Sequence, residues 1–258
     1  MKAVVMFSGG KGSWAAAKRA VDRYGTEEVV LLFADTTVED EDTYRFLRDA
    51  AENIGCELIV VADGRDPFTV FKDKRWLGNS RLAHCSTELK VKPCREWLDA
   101  NAPDDAVLVV GIDWMETHRL PAIRRGWAPR EVWAPMTEEP YMDGIMVLDW
   151  LRDEGLEPPS AYAEGFPHAN FMAQGCVKGG QAYWKNLYLR RPDVFAQTEQ
   201  KEEELRDFLD SDVSMLKEVR DGIAKMLPLV ELRRRIESEP TLLDGDEWGG
   251  CGCFVEAE

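Results

Sequence analysis

No apolar run in this chain approaches the ~18 residues needed to cross a bilayer, so no membrane-spanning helix is expected. The N-terminus enters a strand-like segment directly, leaving no room for a signal peptide, and the expected compartment is the cytoplasm. Basic excess is lacking too. Only 32 Lys and Arg stand against 48 Asp and Glu, a formal charge of −16. Nucleic-acid phosphates would be repelled over most of such a surface, so non-specific binding to DNA or RNA is not expected. Six cysteines in a reducing compartment are not expected to form a disulfide framework. Two common nucleotide fingerprints are missing. A G-x-x-x-x-G-K-[ST] loop would need Gly where Val5 stands, and G-x-G-x-x-G from Gly10 would need Gly where Ala15 stands.

What is there suits a soluble α/β protein: 258 residues, 45% hydrophobic and 31% charged. Val4-Val5-Met6-Phe7 reads as a short buried strand. Ser8-Gly9-Gly10-Lys11-Gly12-Ser13 breaks it, and Trp14–Val21 resumes at helical composition. In a strand, glycine-rich turn and helix, the turn's N–H groups and the helix N-terminus converge on one spot and favour an anion there. Ser8 and Ser13 add hydroxyls, with Ser13 read as the helix N-cap. The bland alternative is a tight turn without a ligand.

Further strands are read at 28–34, 57–62 and 106–111, with a helix at 40–54 between the first two. Asp35, ending the second strand, either faces a nucleotide's sugar or base or caps the following turn. In 72–95 the cations Lys72, Lys74, Arg75, Arg81, Lys90, Lys92 and Arg95 meet only Asp73 and Glu88, so this stretch reads as an anion site or a solvated basic face. Arg119, Arg124, Arg125 and Arg130 form a second such stretch. Glu157-Pro158-Pro159-Ser160 is the best boundary, giving an α/β domain over 1–157 and a helical, Cys-bearing region over 158–258. Cys56 and Cys94 read as structural, whereas Cys85, Cys176, Cys251 and Cys253 lie beside glycine or polar turns.

Ser8–Ser13 resembles the PP-loop, S-G-G-x-D-S, of the adenine-nucleotide alpha-hydrolase superfamily, with Gly12 in place of the usual Asp. His84-Cys85-Ser86-Thr87-Glu88-Leu89-Lys90-Val91-Lys92-Pro93 resembles a Cys-containing basic segment of adenylyl-sulfate reductase-like proteins. Gly111…Glu116…Arg119 matches a loop that in relatives reads roughly G-x-R-x-x-E-S-x-R, with Asp113 departing from it. The segments 161–170 and 175–181 resemble the distal part of phosphoadenosine phosphosulfate (PAPS) reductase-like proteins of phages and genomic islands. Many of these carry a cysteine where Phe171 stands.

The resemblance implies a doubly wound parallel α/β sheet with an adenine nucleotide (PAPS, adenylyl sulfate or ATP) at the strands' carboxyl ends. Ser8, Gly9, Gly10, Lys11, Gly12, Ser13, Asp35, Lys92, Gly111, Glu116 and Arg119 would hold it. It further implies thiol-dependent sulfur reduction or transfer with Cys251, Cys253 and Lys90 as catalytic residues, a thiol reductant protein as partner, and a homodimer. Cys85, Cys176, Cys251 and Cys253 would supply four thiolates for a [4Fe–4S] cluster or zinc. Two alternatives stand beside it: an AMP-forming ATP pyrophosphatase, using Mg and adenylating a nucleobase or tRNA for thiolation or amination, and a non-catalytic nucleotide-binding module.

Overall fold

The computed structural model describes residues 1–79, 82–220, 223–239 and 248. β1 (Ala3–Met6) is buried at every position and pairs in parallel with β2 (Val29–Asp35) on one side and β4 (Val107–Val109) on the other. β3 (Glu57–Ala62) and β5 (Val132–Trp133) complete a parallel sheet in the order β3-β2-β1-β4-β5. Alternate β1 residues feed two cores. Ala3 and Val5 pack with α1 (Lys11–Tyr24) and α2 (Glu41–Ile54), whereas Val4 and Met6 face the side where Cys94 and Ile123 lie. Burial on both faces is why β1, β2 and β4 read as unbroken apolar runs.

Local chemistry sets the helix ends. Asp40 caps α2, its carboxylate accepting the Thr43 N–H at 2.8 Å, and Gly55 ends it in a left-handed conformation. Asp66 caps α3 (Pro67–Lys74), which starts on its proline. A short turn α4 (His84–Ser86) and one wide helical turn lead into α5 (Lys92–Asn101). α6 (Leu120–Trp127) and α7 (Gly144–Asp153) flank the β4–β5 end of the sheet. α1 differs from its expected start. Gly10 is the N-cap, and Ser13 lies inside the first turn, where its hydroxyl donates back to the Gly10 carbonyl at 2.8 Å.

Beyond residue 157 come α8 (Ser160–Ala163), α9 (Gln181–Arg190), α10 (Pro192–Leu209) and α11 (Leu229–Ser238). This region is not purely helical: β6 (Leu216–Arg220) and β7 (Ile223–Leu227) form an antiparallel hairpin. Glu202 of α10 ties the hairpin down, its buried carboxylate accepting the Met215 N–H at 2.9 Å and the Leu229 N–H at 2.6 Å. Burial pushes the Glu202 carboxyl up to about 7 despite those bonds. The core beneath these helices is shared across the sequence. Phe68, Val70, Phe71 and Leu89 join Tyr183, Trp184, Phe195 and Leu232 in one cluster.

Candidate functional site

The carboxyl ends of β1 and β4 open onto a cavity of about 450 Å³. Met6, Val110, Ile112, Ile123, Met136 and Val147 give it an apolar wall. Opposite them stands the glycine-rich loop. The Ser8 N–H donates to Ser13 Oγ at 3.3 Å, so the Ser13 hydroxyl braces the loop from inside. Asn170, 162 positions along the chain, donates its side-chain amide to the Ser8 carbonyl at 2.7 Å. The Lys11 N–H donates to Tyr162 Oη at 3.0 Å, and Lys11 Nζ stands 4.7 Å from that ring's centroid. Burial pushes the Lys11 ammonium below its ordinary pKa, against the opposing pull of Asp113 and Asp143.

Two further capped turns close the cavity. Asp113 accepts the Met115 and Glu116 N–H groups at 2.9 and 3.2 Å, starting the turn that presents Glu116 and Arg119 as an ion pair. Asp143 accepts the Ile145 and Met146 N–H groups at 2.9 and 2.8 Å and caps α7 at the cavity wall. The arrangement offers an apolar slot ending in backbone N–H groups, an ammonium and a guanidinium. Such a slot accommodates a flat ring at one end and a phosphate or sulfate at the other.

Of the residues expected to hold a nucleotide, the cavity brings together Ser8, Gly10, Lys11, Gly12, Ser13, Gly111, Glu116 and Arg119. Gly9, Asp35 and Lys92 are not part of its lining. Asp35 serves its own turn instead, accepting the Thr37 N–H at 2.8 Å and the Tyr44 hydroxyl at 2.7 Å. Two cations of the basic stretch turn to one carboxylate: Lys92 at 2.6 Å and Lys74 at 2.8 Å surround Glu88 together with Arg65, from outside the stretch, at 3.4 Å. Burial would raise the Glu88 carboxyl, but Lys74 and Lys92 hold it down at about 2. Lys90, expected to act in catalysis, is buried outside the cavity lining with its Nζ 4.1 Å from the Phe171 ring centroid.

Cys85 and Cys176 line one small cavity of about 10 Å³ with Phe171, Gln174 and Lys178. Among the described residues no group of three or more His, Cys, Asp or Glu is placed to hold a metal ion. Cys251 and Cys253 lie outside the described residues; three positions before them, the Trp248 carbonyl accepts the Gly180 N–H at 2.9 Å. Cys94 is fully buried, and burial pushes its thiol up to about 12.

Sequence reasoning assigned no role to Asp143, Tyr162, Pro167, His168 or Asn170, all of which line the main cavity. The available signal was the 161–170 segment, whose resemblance to the distal part of relatives marked it without saying that it folds back over the loop.

No curated protein matches the chain. Among solved structures, the crystal structure of phosphoadenylyl-sulfate (PAPS) reductase from Candida auris, a phosphate complex, is similar at 15% identity. That match covers 64% of this chain and 77% of that one, with a TM-score of 0.45. The family model of the phosphoadenosine phosphosulfate reductase domain matches residues 2–179, a span from β1 through every lining residue of the main cavity to the Cys176 turn. The chain therefore belongs to the phosphoadenosine phosphosulfate reductase domain family.

Proposed function

We propose that the chain binds an adenine nucleotide in the main cavity, ring toward Met6, Val110 and Ile112 and anion toward the start of α1, and carries out thiol-dependent chemistry on a sulfated nucleotide. The observation that carries the reading is the joining, in one cavity, of the Ser8–Ser13 loop with Gly111, Glu116 and Arg119, two segments about a hundred residues apart in sequence. In this reaction a thiolate attacks the sulfur of an adenylyl sulfate and the sulfur–oxygen bond to the nucleotide phosphate breaks. The nucleotide leaves with the bonding pair. A second thiolate then attacks the first thiol's own sulfur in the resulting S-sulfonate. The bond from that sulfur to the sulfonate breaks, sulfite leaves with the pair and a disulfide remains, so two thiols are oxidised as sulfate sulfur is reduced.

Cys251 and Cys253 are our candidates for these thiols, with a thiol reductant protein restoring them. In the alternative arrangement Cys251 and Cys253 are not the redox pair but join Cys85 and Cys176, which line one small cavity, as the four thiolates of a cluster or zinc. Iron, zinc and sulfide analysis of anaerobically purified protein tests that ligand set, and a metal-free folded protein with free thiols would reject it.

A second reading, AMP-forming cleavage of ATP, draws on the three carboxylates Asp113, Glu116 and Asp143 in the same cavity lining. Carboxylates suit a magnesium–nucleotide complex better than a bare sulfated anion. A competition titration separates the two. PAPS or adenylyl sulfate binding at least as tightly as ATP with magnesium supports sulfur reduction, and the reverse order supports ATP cleavage.

A further inference from the structure

We propose that a second cavity, of about 320 Å³, binds a small flat ring bearing a phosphate group. The site shares no lining residue with the main cavity and does not depend on the nucleotide reading above. Its walls come from both sides of residue 157. The exit of α3 supplies Arg75, Trp76 and Leu77, and the α10–β6–β7 region supplies Leu209, Lys217 and Met226. Strand alternation sets the second wall. Leu216 and its partner Leu227 are buried in the core, so Lys217 and its partner Met226 turn together to the cavity. Ser214 holds that wall in place, its hydroxyl accepting the Leu227 N–H at 3.0 Å.

The lining matches each part of such a ligand. Leu77, Leu209 and Met226 give it an apolar floor, and Trp76 contributes an indole ring that stays 44% exposed. Arg75 and Lys217 supply positive charge. Among the described residues neither forms an ion pair, and no carboxylate lines the cavity. In a chain of formal charge −16 two such cations in one lining are not background. The neighbouring acid Asp212 is taken up by Arg206 at 3.0 Å. Arg75 also stands where the backbone favours glycine. It ends α3 at φ +49°, its N–H donating to the Lys72 carbonyl at 3.1 Å while the Trp76 N–H donates to the Phe71 carbonyl at 3.0 Å. Glycine makes that closure without strain, so a guanidinium kept there, 5.3 Å from the exposed Phe208 ring, costs stability that a ligand contact would explain. A phosphate dianion suits the arginine fork and the lysine ammonium together, and the attached ring suits the indole.

Calorimetric titration of the full chain with 1-naphthyl phosphate, 1-naphthol and inorganic phosphate tests the site. The aryl phosphate should bind at least about tenfold more tightly than either fragment, since each fragment lacks a part that the lining matches. Arg75→Gly should weaken aryl phosphate about tenfold while its unfolding midpoint stays at least as high as in wild type, because glycine accepts this conformation freely. Lys217→Gln, at an exposed strand position, should give a similar loss and serves if Arg75→Gly does not fold. Arg119→Ala, in the main cavity, should leave aryl-phosphate affinity within about twofold of wild type. A wild-type chain that binds no aryl phosphate, or binds 1-naphthol equally well, would overturn the proposal. So would unchanged affinity in Arg75→Gly and Lys217→Gln, or a loss in Arg119→Ala alone, which would put the probe in the main cavity.

Discussion

The backbones of Gly12 and Gly111 meet without room for a side chain on either. A Cβ on Gly12 would lie 2.9 Å from the Gly111 carbonyl oxygen, and one on Gly111 would lie 2.6 Å from Ser13 N and 2.7 Å from the Gly12 carbonyl carbon. The start of α1 is thereby seated on the exit of β4, and the carboxylate that relatives carry at position 12 has no space in this packing. Gly111→Ala should cost about 2 kcal/mol, because the atoms that must move are backbone. A denaturant titration checks this, and an unchanged midpoint would contradict the close approach.

Asn170 is expected to matter for the loop rather than for the ligand directly. Asn170→Ala removes the donor to the Ser8 carbonyl and should lower stability by about 1–2 kcal/mol. It should also weaken nucleotide-induced stabilisation, which for wild type at 100 times the dissociation constant is about 2.7 kcal/mol if the ligand binds only the folded state. Thermal melts with and without ATP give both quantities.

Lys90 and Arg119 should behave differently. Lys90→Met lies outside the main cavity lining and should leave ATP affinity within about twofold of wild type, while Arg119→Ala, in the lining, should lower it about tenfold. Paired titrations decide, and a large loss in Lys90→Met would restore that lysine to the site.

Two glutamates give opposite pH slopes. Glu202 titrates at about 7 in the fold against an ordinary 4.5, so its contribution is full below pH 4.5 and is lost as pH rises through about 7. The integrated effect is about 3 kcal/mol. Glu88 is held at about 2, so its contribution is full above pH 4.5 and is lost as pH falls toward 2. Carboxyl carbon-13 spectra should show one glutamate titrating near pH 7 that disappears in Glu202→Gln. Its absence from the wild-type spectrum would contradict the buried assignment.

The central strands were legible because burial on both faces writes itself as unbroken apolar runs, and β3 falls at 57–62 as its composition suggests. The loop was legible because three glycines follow such a run. The hairpin was not, since β6 and β7 mix charge into both faces: Leu-Lys-Glu-Val-Arg against Ile-Ala-Lys-Met-Leu. The Asp221-Gly222 dipeptide between them was the signal to use. The pairing within the basic stretch was not legible because charge counting along a sequence cannot show Lys74 and Lys92 turning toward Glu88, with Arg65 joining them from outside the stretch. Tyr162 and Asn170 bond to loop residues 151 and 162 positions away, a closure that local pattern does not encode.

The shared core around Phe71 and Trp184 sets how this protein can be divided. A fragment cut after residue 157 would carry Phe68, Val70, Phe71 and Leu89 with no partner from α9, α10 or α11 to cover them. Such a fragment should be sticky and poorly soluble on its own, and co-expression with the complementary piece should rescue it. The same architecture makes a nick at the Glu157–Ser160 connection survivable: two chains, still holding each other through one apolar interior, would keep Asn170 bonded to the Ser8–Ser13 loop.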